Sequence, residues 1–323
     1  MKPVALFAAA CAFAGPLVAA SLTLERTIPL PHVEGRIDHF SLDAAGQRLF
    51  VAALGNNSVE VVNLAEGKVS RSIPGLSEPQ GIFFLAETNR LYVANGGDGA
   101  VHIFNGTTFA AVATVKFGDD ADNLRYDAAA KRLYVGYGSG SLGAVDVTNN
   151  ATVVDVALKA HPESFQLEQK GPRIFVNVPS AHHIAVVDRE KKTVIATWSM
   201  GLVAANFPMA LDEEKNRLLV ACRMPARLIV FDAQSGKEIA KLDLHSDCDD
   251  LFFHPARRQI YASCGEGFID VFTQMDADHY VLKEAIKTEA RARTCFFDGE
   301  HIYLAVPKRG ERLAEVRSYR LEK

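Results

Sequence analysis

An excess of either charge is missing from this 323-residue sequence. Its 35 Lys and Arg stand against 39 Asp and Glu, a net charge of -4, so the strong basic surplus of a general nucleic-acid binder is absent. The familiar catalytic signatures are missing as well. There is no Gly-x-Ser-x-Gly elbow, no His-Glu-x-x-His pair, no P-loop and no dinucleotide fingerprint. Without a Cys-x-x-Cys-His run, c-type haem attachment is excluded. No segment combines the length and 3.6-residue period of a substantial helix. Beyond the first twenty residues, no apolar run approaches the roughly 20 residues of a membrane span. What remains is an ordinary globular balance, 48% hydrophobic and 23% charged.

The N-terminus has the pattern of an export signal. Lys2 supplies a positive start, Val4 to Ala14 is apolar, Gly15-Pro16 breaks the run, and Val18-Ala19-Ala20 offers small residues for cleavage. The expected organisation is a signal peptide over 1–20 and one domain over 21–323, periplasmic or secreted, with no membrane span after cleavage. Cysteine is scarce: Cys222, Cys248, Cys264 and Cys295 remain after that cut. An oxidising compartment permits pairing. Three full pairings are open, with a disulfide among Cys222, Cys248 and Cys264 expected from their nearness in neighbouring repeats.

A repeat runs through the rest. An arginine or similar polar residue precedes a short β-rich triplet beginning at Leu49, Leu91, Leu133, Ile174, Leu218, Ile260 and Ile302. A spacing of about 42 residues suits a four-stranded propeller blade. The second unit parses as strands over Gly81–Leu85, Arg90–Ala94, Ala100–Asn105 and Phe109–Phe117, with Gly-, Asn- and Asp-rich turns between them. Alternation in Val59-Glu60-Val61 and Val101-His102-Ile103 has the two-residue strand period. The seventh unit stops one strand short. The segment from Leu22 to Pro29 resembles the outer strands of other units, and is expected to complete the last blade and remove an open sheet edge. The predicted fold is all-β: a seven-bladed β-propeller of four-stranded blades, its ring closed by the N-terminal strand.

Tyr92-Val93-Ala94-Asn95, followed by Gly97-Asp98-Gly99-Ala100-Val101-His102-Ile103-Phe104-Asn105, resembles the signature of the YVTN β-propeller family. Leu49-Phe50-Val51-Ala52-Ala53 with Val59-Glu60-Val61-Val62-Asn63 does the same. The resemblance covers residues 21–323. It implies the fold far more than an activity, because relatives range from lactonases and lyases to binding modules. It also implies that ligands meet one end of the central channel, where lead-ins to the innermost strands commonly read Pro-x-Gly.

The seven lead-in triplets here read Ile37-Asp38-His39, Pro79-Gln80-Gly81, Ala121-Asp122-Asn123, Pro162-Glu163-Ser164, Asn206-Phe207-Pro208, Cys248-Asp249-Asp250 and Ala292-Arg293-Thr294. Six depart from the plain pattern. The candidate ligand-binding residues at the mouth are therefore Asp38, His39, Gln80, Asp122, Asn123, Glu163, Asn206, Asp249, Asp250 and Arg293. Crowded carboxylates need a cation, a proton or a hydrogen-bond network. Oxygen ligands suit Ca²⁺ or Mg²⁺, and a histidine admits Zn²⁺. Asp38, His39, Asp122, Glu163 and Asp250 are accordingly candidate ligands of one divalent cation. The same residues are equally ordinary turn formers. Arg223, Arg227, Arg291, Arg293, Lys308, Arg309 and Arg312 would make the blade 5–7 side basic and orient an anionic ligand.

The function expected is a monomeric exported propeller that binds a small molecule or partner protein at its mouth, nucleic acid not being an expected partner. One alternative is a metal-assisted hydrolase or lyase of the lactonase kind, with His39 as acid or base. A further alternative is an accessory role in envelope metal or redox handling, suggested by the cysteines.

Overall fold

A computed structural model describes residues 21–322, so the expected signal peptide over 1–20 lies outside the described residues. They form seven four-stranded antiparallel sheets. Six of them are built from four consecutive strands joined by tight turns, the simplest topology for short strands with polar connections. In blade 2 the strands are Pro79–Leu85, Arg90–Asn95, Ala100–Asn105 and Ala111–Lys116, within a few residues of the sequence expectation. In blade 7, Cys295–Phe297, His301–Val306 and Ala314–Leu321 are joined by the N-terminal strand Leu22–Leu30, which pairs antiparallel with Ala314–Leu321. Besides strands, the described residues hold three single-turn 3₁₀ helices, Leu54–Asn56, Ala86–Thr88 and Pro179–Ala181. No helix among the described residues is long and apolar enough to cross a membrane.

The core lies between blades rather than inside one. A strand presents alternate side chains to its two faces, and each β-rich triplet buries both, against the blade before and the blade after. Phe50, Ala52 and Val61 of blade 1 pack on Ile82, Leu91 and Val93 of blade 2. Leu49, Val51 and Ala53 face the other way, onto Tyr303 and Ala305 of blade 7 and Ile28 of the N-terminal strand. Burying both faces explains why these triplets are continuously apolar instead of alternating.

The residue before the triplet also has a job. Arg48 holds Asp43 at 2.6 Å and donates to the carbonyl of Gly106 in blade 2 at 2.6 Å. Its guanidinium lies 5.4 Å from the centre of the Phe50 ring. Arg173 repeats this with Glu168, the carbonyl of Ala233 and the Phe175 ring. Arg217 donates to the carbonyl of Ala277 and pairs with Asp232 and Asp278. Each arginine clasps the next blade at the end where the first strand turns into the second. The opposite end, where the first strands begin, is free to vary.

Candidate functional site

Residues from all seven first strands, among them Ser41, Ile82, Leu124, Gln166, Met209, Leu251 and Phe296, line one cavity of about 400 Å³. This is the central channel, and it is largely apolar. Directly above it, a polar mouth of about 430 Å³ shares His39, Ser164 and Asp250 with the channel.

The lead-in triplets explain the mouth position by position. The second residue of every triplet lines it: Asp38, Gln80, Asp122, Glu163, Phe207, Asp249 and Arg293. The first residue never does. Ile37, Ala121, Asn206, Cys248 and Ala292 are at most 3% exposed and point between the blades. The pleat of a strand turns neighbours to opposite sides, so one set of seven positions forms a ring and the preceding set packs. Third residues line the mouth at His39, Asn123, Ser164 and Asp250.

Nine of the ten expected residues therefore meet at the mouth, and Asn206 does not. It occupies the first, inward-packed position of blade 5, at the start of a register shift in its strand. Its amide donates to Asn177 Oδ1 at 2.8 Å and to the carbonyl of His183, tying blade 4 to blade 5. Phe207 takes the mouth position instead. Arg36, Glu78, Asp120 and His161, each directly before a triplet, also line the mouth and were missed, as was Leu54. At two of these positions the backbone is kinked: Glu78 and Asp120 are left-handed, φ 49° and 37°, which re-aims the side chain before the strand starts. Of the basic residues expected here, Arg223 and Arg293 reach the mouth, whereas Arg291, Lys308 and Arg309 line a neighbouring groove. Arg227 pairs with Asp243 at 2.8 Å and Arg312 with Glu289 at 2.6 Å, away from it.

Gly81, the one glycine kept in the Pro-x-Gly pattern, is required by packing. A Cβ there would sit 2.2 Å from the carbonyl oxygen of Asp122, so the backbones of blades 2 and 3 touch where a side chain cannot fit.

Charges in the mouth are interlocked. Arg36 holds Asp38 at 2.6 Å. Arg223 bonds Asp249 and lies 3.9 Å from the centre of the Phe207 ring. Arg293 reaches Asp249 at 3.1 Å and Asp247 at 2.6 Å. Burial alone would raise the Asp249 pKa, but Arg293, Arg223, His39 and Arg36 overcome it and hold the carboxyl below its usual range. His39 sits between Asp38 at 3.7 Å and Asp250 at 3.9 Å. Burial works against its charge, yet the surrounding aspartates win and its pKa is raised. Asp250 accepts the N–H of Cys295 at 2.7 Å, and burial pushes it up to about 7. Glu163 is pushed up to about 8 by burial and by Asp122. His161 is held up at about 9: burial opposes its charge, but Asp122, the carbonyl of Gly138 and Asp120 outweigh it.

This arrangement does not fit a resident divalent ion. Among the described residues no three His, Cys, Asp or Glu side chains stand as a metal-holding group. The expected ligands Asp38, His39, Asp122, Glu163 and Asp250 share the mouth, but Arg36 already compensates Asp38, His39 stands between Asp38 and Asp250, and His161 lies beside Asp122. The cysteine expectation is also corrected. Cys222, Cys248, Cys264 and Cys295 are buried thiols. Cys222 and Cys295 belong to different interblade layers from Cys248 and Cys264. Cys248 and Cys264 face each other in register, but their thiols donate instead to the carbonyls of Asp250 and Ala262.

No family model and no curated protein matches the chain, so the YVTN likeness remains a resemblance carried by the motifs. Solved structures do match. A chain in the crystal structure of a mitotic checkpoint complex aligns with a TM-score of 0.81 at 15% identity, over 100% of this chain and 99% of that one. Kuenenia stuttgartiensis hydrazine synthase aligns with a TM-score of 0.74 at 14% identity, over 86% of this chain and 95% of that one. At such identity the likeness shows the fold alone. This chain is a seven-bladed β-propeller. Its mouth chemistry has to be read from its own residues.

Proposed function

We propose that this propeller binds a small polar ligand in the mouth of its central channel. One observation carries the reading: Asn123 lines the mouth, is 2% exposed, and its Oδ1 accepts no hydrogen bond. Its amide nitrogen is spent on Asp122 at 3.0 Å. A buried carbonyl oxygen left without a donor is costly, and a bound ligand relieves that cost. The pocket volume suits a small molecule, and the export pattern at the N-terminus supports a place in the cell envelope.

The test is a ligand-detected NMR screen of small polar molecules against the wild type and Gln80→Trp, which fills the mouth. Hits lost in the variant support the proposal. Hits unaffected by the plug, or none at all, refute it.

A second reading, docking of a partner protein over the mouth, is favoured by Leu202 and Met224, which are 101% and 63% exposed. Leu202 lies in the connection leading into blade 5 and Met224 ends the strand Arg217–Met224, both on the mouth side. Exposed apolar groups beside a polar cleft are a feature of protein-binding surfaces. The lactonase-type alternative loses its support here. Among the described residues its metal has no holder, and the aspartates around His39 favour the protonated ring, the wrong state for a base.

A further inference from the structure

Compensation of charge around the mouth is lopsided. On one side, three guanidiniums meet three carboxylates: Arg36 with Asp38, and Arg223 and Arg293 with Asp247 and Asp249. On the other side, Asp120 and Asp122 share a single imidazole, that of His161, at 3.5 and 3.9 Å. Glu163 stands beside them with no donor to its side chain among the described residues. The orphaned Oδ1 of Asn123 belongs to the same arc. The unmet Asn123 oxygen is an acceptor, and the two aspartates beside it have one imidazole between them. The arginine side, which the sequence suggested would attract an anion, is already neutralised by its own aspartates.

We infer that the arc of Asp120, Asp122, Asn123 and Glu163 binds an organic cation that donates hydrogen bonds, an ammonium or amidinium group on a small molecule. This rests on the mouth being a ligand site. A donor cation answers both deficits at once, since charge-assisted hydrogen bonds to carboxylates are among the strong ones. A bare metal ion answers them less well. It would fill a small part of a space of about 430 Å³, and no metal-holding group of side chains converges there. Phe207 and Leu54, elsewhere in the lining, supply apolar surface for a carbon skeleton.

Proton linkage gives the idea a signature. Glu163 is faced by Asp122, His161, Asp249, Arg223 and Arg36, and holds its proton up to about 8. A bound cation favours the carboxylate, so binding at neutral pH expels that proton, and affinity rises as pH climbs toward 8. Loss of the His161 proton near 9 removes a competing positive charge and acts in the same direction.

The experiment is isothermal titration of the purified protein with 1,4-diaminobutane, and with 1,4-butanediol, succinate, Ca²⁺ and Mg²⁺ as matched arms. It is run at pH 7 in buffers of different ionisation heat. The diamine binds with proton release, and the diol and succinate bind at least about tenfold more weakly. Glu163→Gln weakens the diamine about tenfold and abolishes the proton release. Asp122→Asn weakens it too, and serves if Glu163→Gln fails to fold. Tighter binding of succinate or diol overturns the cation inference while leaving the mouth a ligand site. Diamine binding untouched in both variants removes the ligand from the arc. Binding of Ca²⁺ or Mg²⁺ in its place makes the arc a metal site. Failure of every arm sinks the inference alone, because the broader screen decides whether the mouth binds anything.

Discussion

The two ends of the ring obey different rules. At the end where first strands turn into second strands, the same device recurs: Arg48, Arg173 and Arg217 each hold a carboxylate and donate to a carbonyl of the next blade. At the mouth, seven equivalent positions carry Asp38, Gln80, Asp122, Glu163, Phe207, Asp249 and Arg293, with no device repeated. One backbone geometry generated both ends seven times. Where packing between blades sets the demand, the answer repeats. Where the side chains face an open cavity, packing demands nothing and each blade differs. Divergence among repeats within one chain therefore marks the surface that architecture leaves free for function.

Breaking the clasp has the largest effect. Arg173→Ala leaves Glu168 buried without its partner and removes the bond to Ala233. The expected cost is about 2–4 kcal/mol, below the full buried-pair penalty because Arg173 is partly exposed. Urea unfolding measures it, and a loss under 1 kcal/mol would erase the contrast between the two ends. Gly81→Ala comes next. It is the mouth-side position that packing does control, and the overlap with the Asp122 carbonyl costs about 1–3 kcal/mol. A melting temperature unchanged by this substitution would mean that blades 2 and 3 separate easily.

The mouth should show itself through pH rather than packing. Glu163 and Asp250, held up to about 8 and about 7, bind protons more tightly in the folded chain. Their stabilisation is complete below the unfolded carboxyl pKa of about 4 and is lost as pH rises through those folded values. His161, held up at about 9, stabilises fully below about 6.5 and loses that contribution as pH rises through 9. Asp249, held low, acts oppositely and loses its contribution in acid. Stability measured by urea unfolding is expected to fall from pH 5 to pH 9. Glu163→Gln flattens part of that fall, and lies within about 0.5 kcal/mol of wild type at pH 6. A parallel pair of pH–stability curves would contradict this. The smallest signal comes from the cysteines. Cys222, Cys248, Cys264 and Cys295 are buried thiols, so a thiol reagent leaves the native domain unlabelled and modifies all of them after unfolding.

Blade number, strand order and the location of the mouth were legible because each rests on local pattern. Seven β-rich triplets at even spacing force seven blades, since each triplet needs apolar neighbours on both sides. Most of the site was legible for the same reason: equivalent positions in a ring converge. The miss at Asn206 came from reading triplets as units, whereas the pleat separates their first and second residues. His161 and Asp120 were missed because they precede the triplets, and at Asp120 a backbone kink rather than strand period aims the side chain. The disulfide was unreadable for a different reason. Nearness in sequence repeats does not say which interblade layer receives each sulfur.

Sequence alone determined the all-β ring, its blade count and most of the residues at its mouth, because repetition and the two-residue strand period are one-dimensional properties. The tertiary structure decided how the charges are shared. Which arginine neutralises which aspartate, and that Glu163 and Asn123 are left unmet, depend on distances between blades some forty residues apart. No periodicity along a chain encodes those distances.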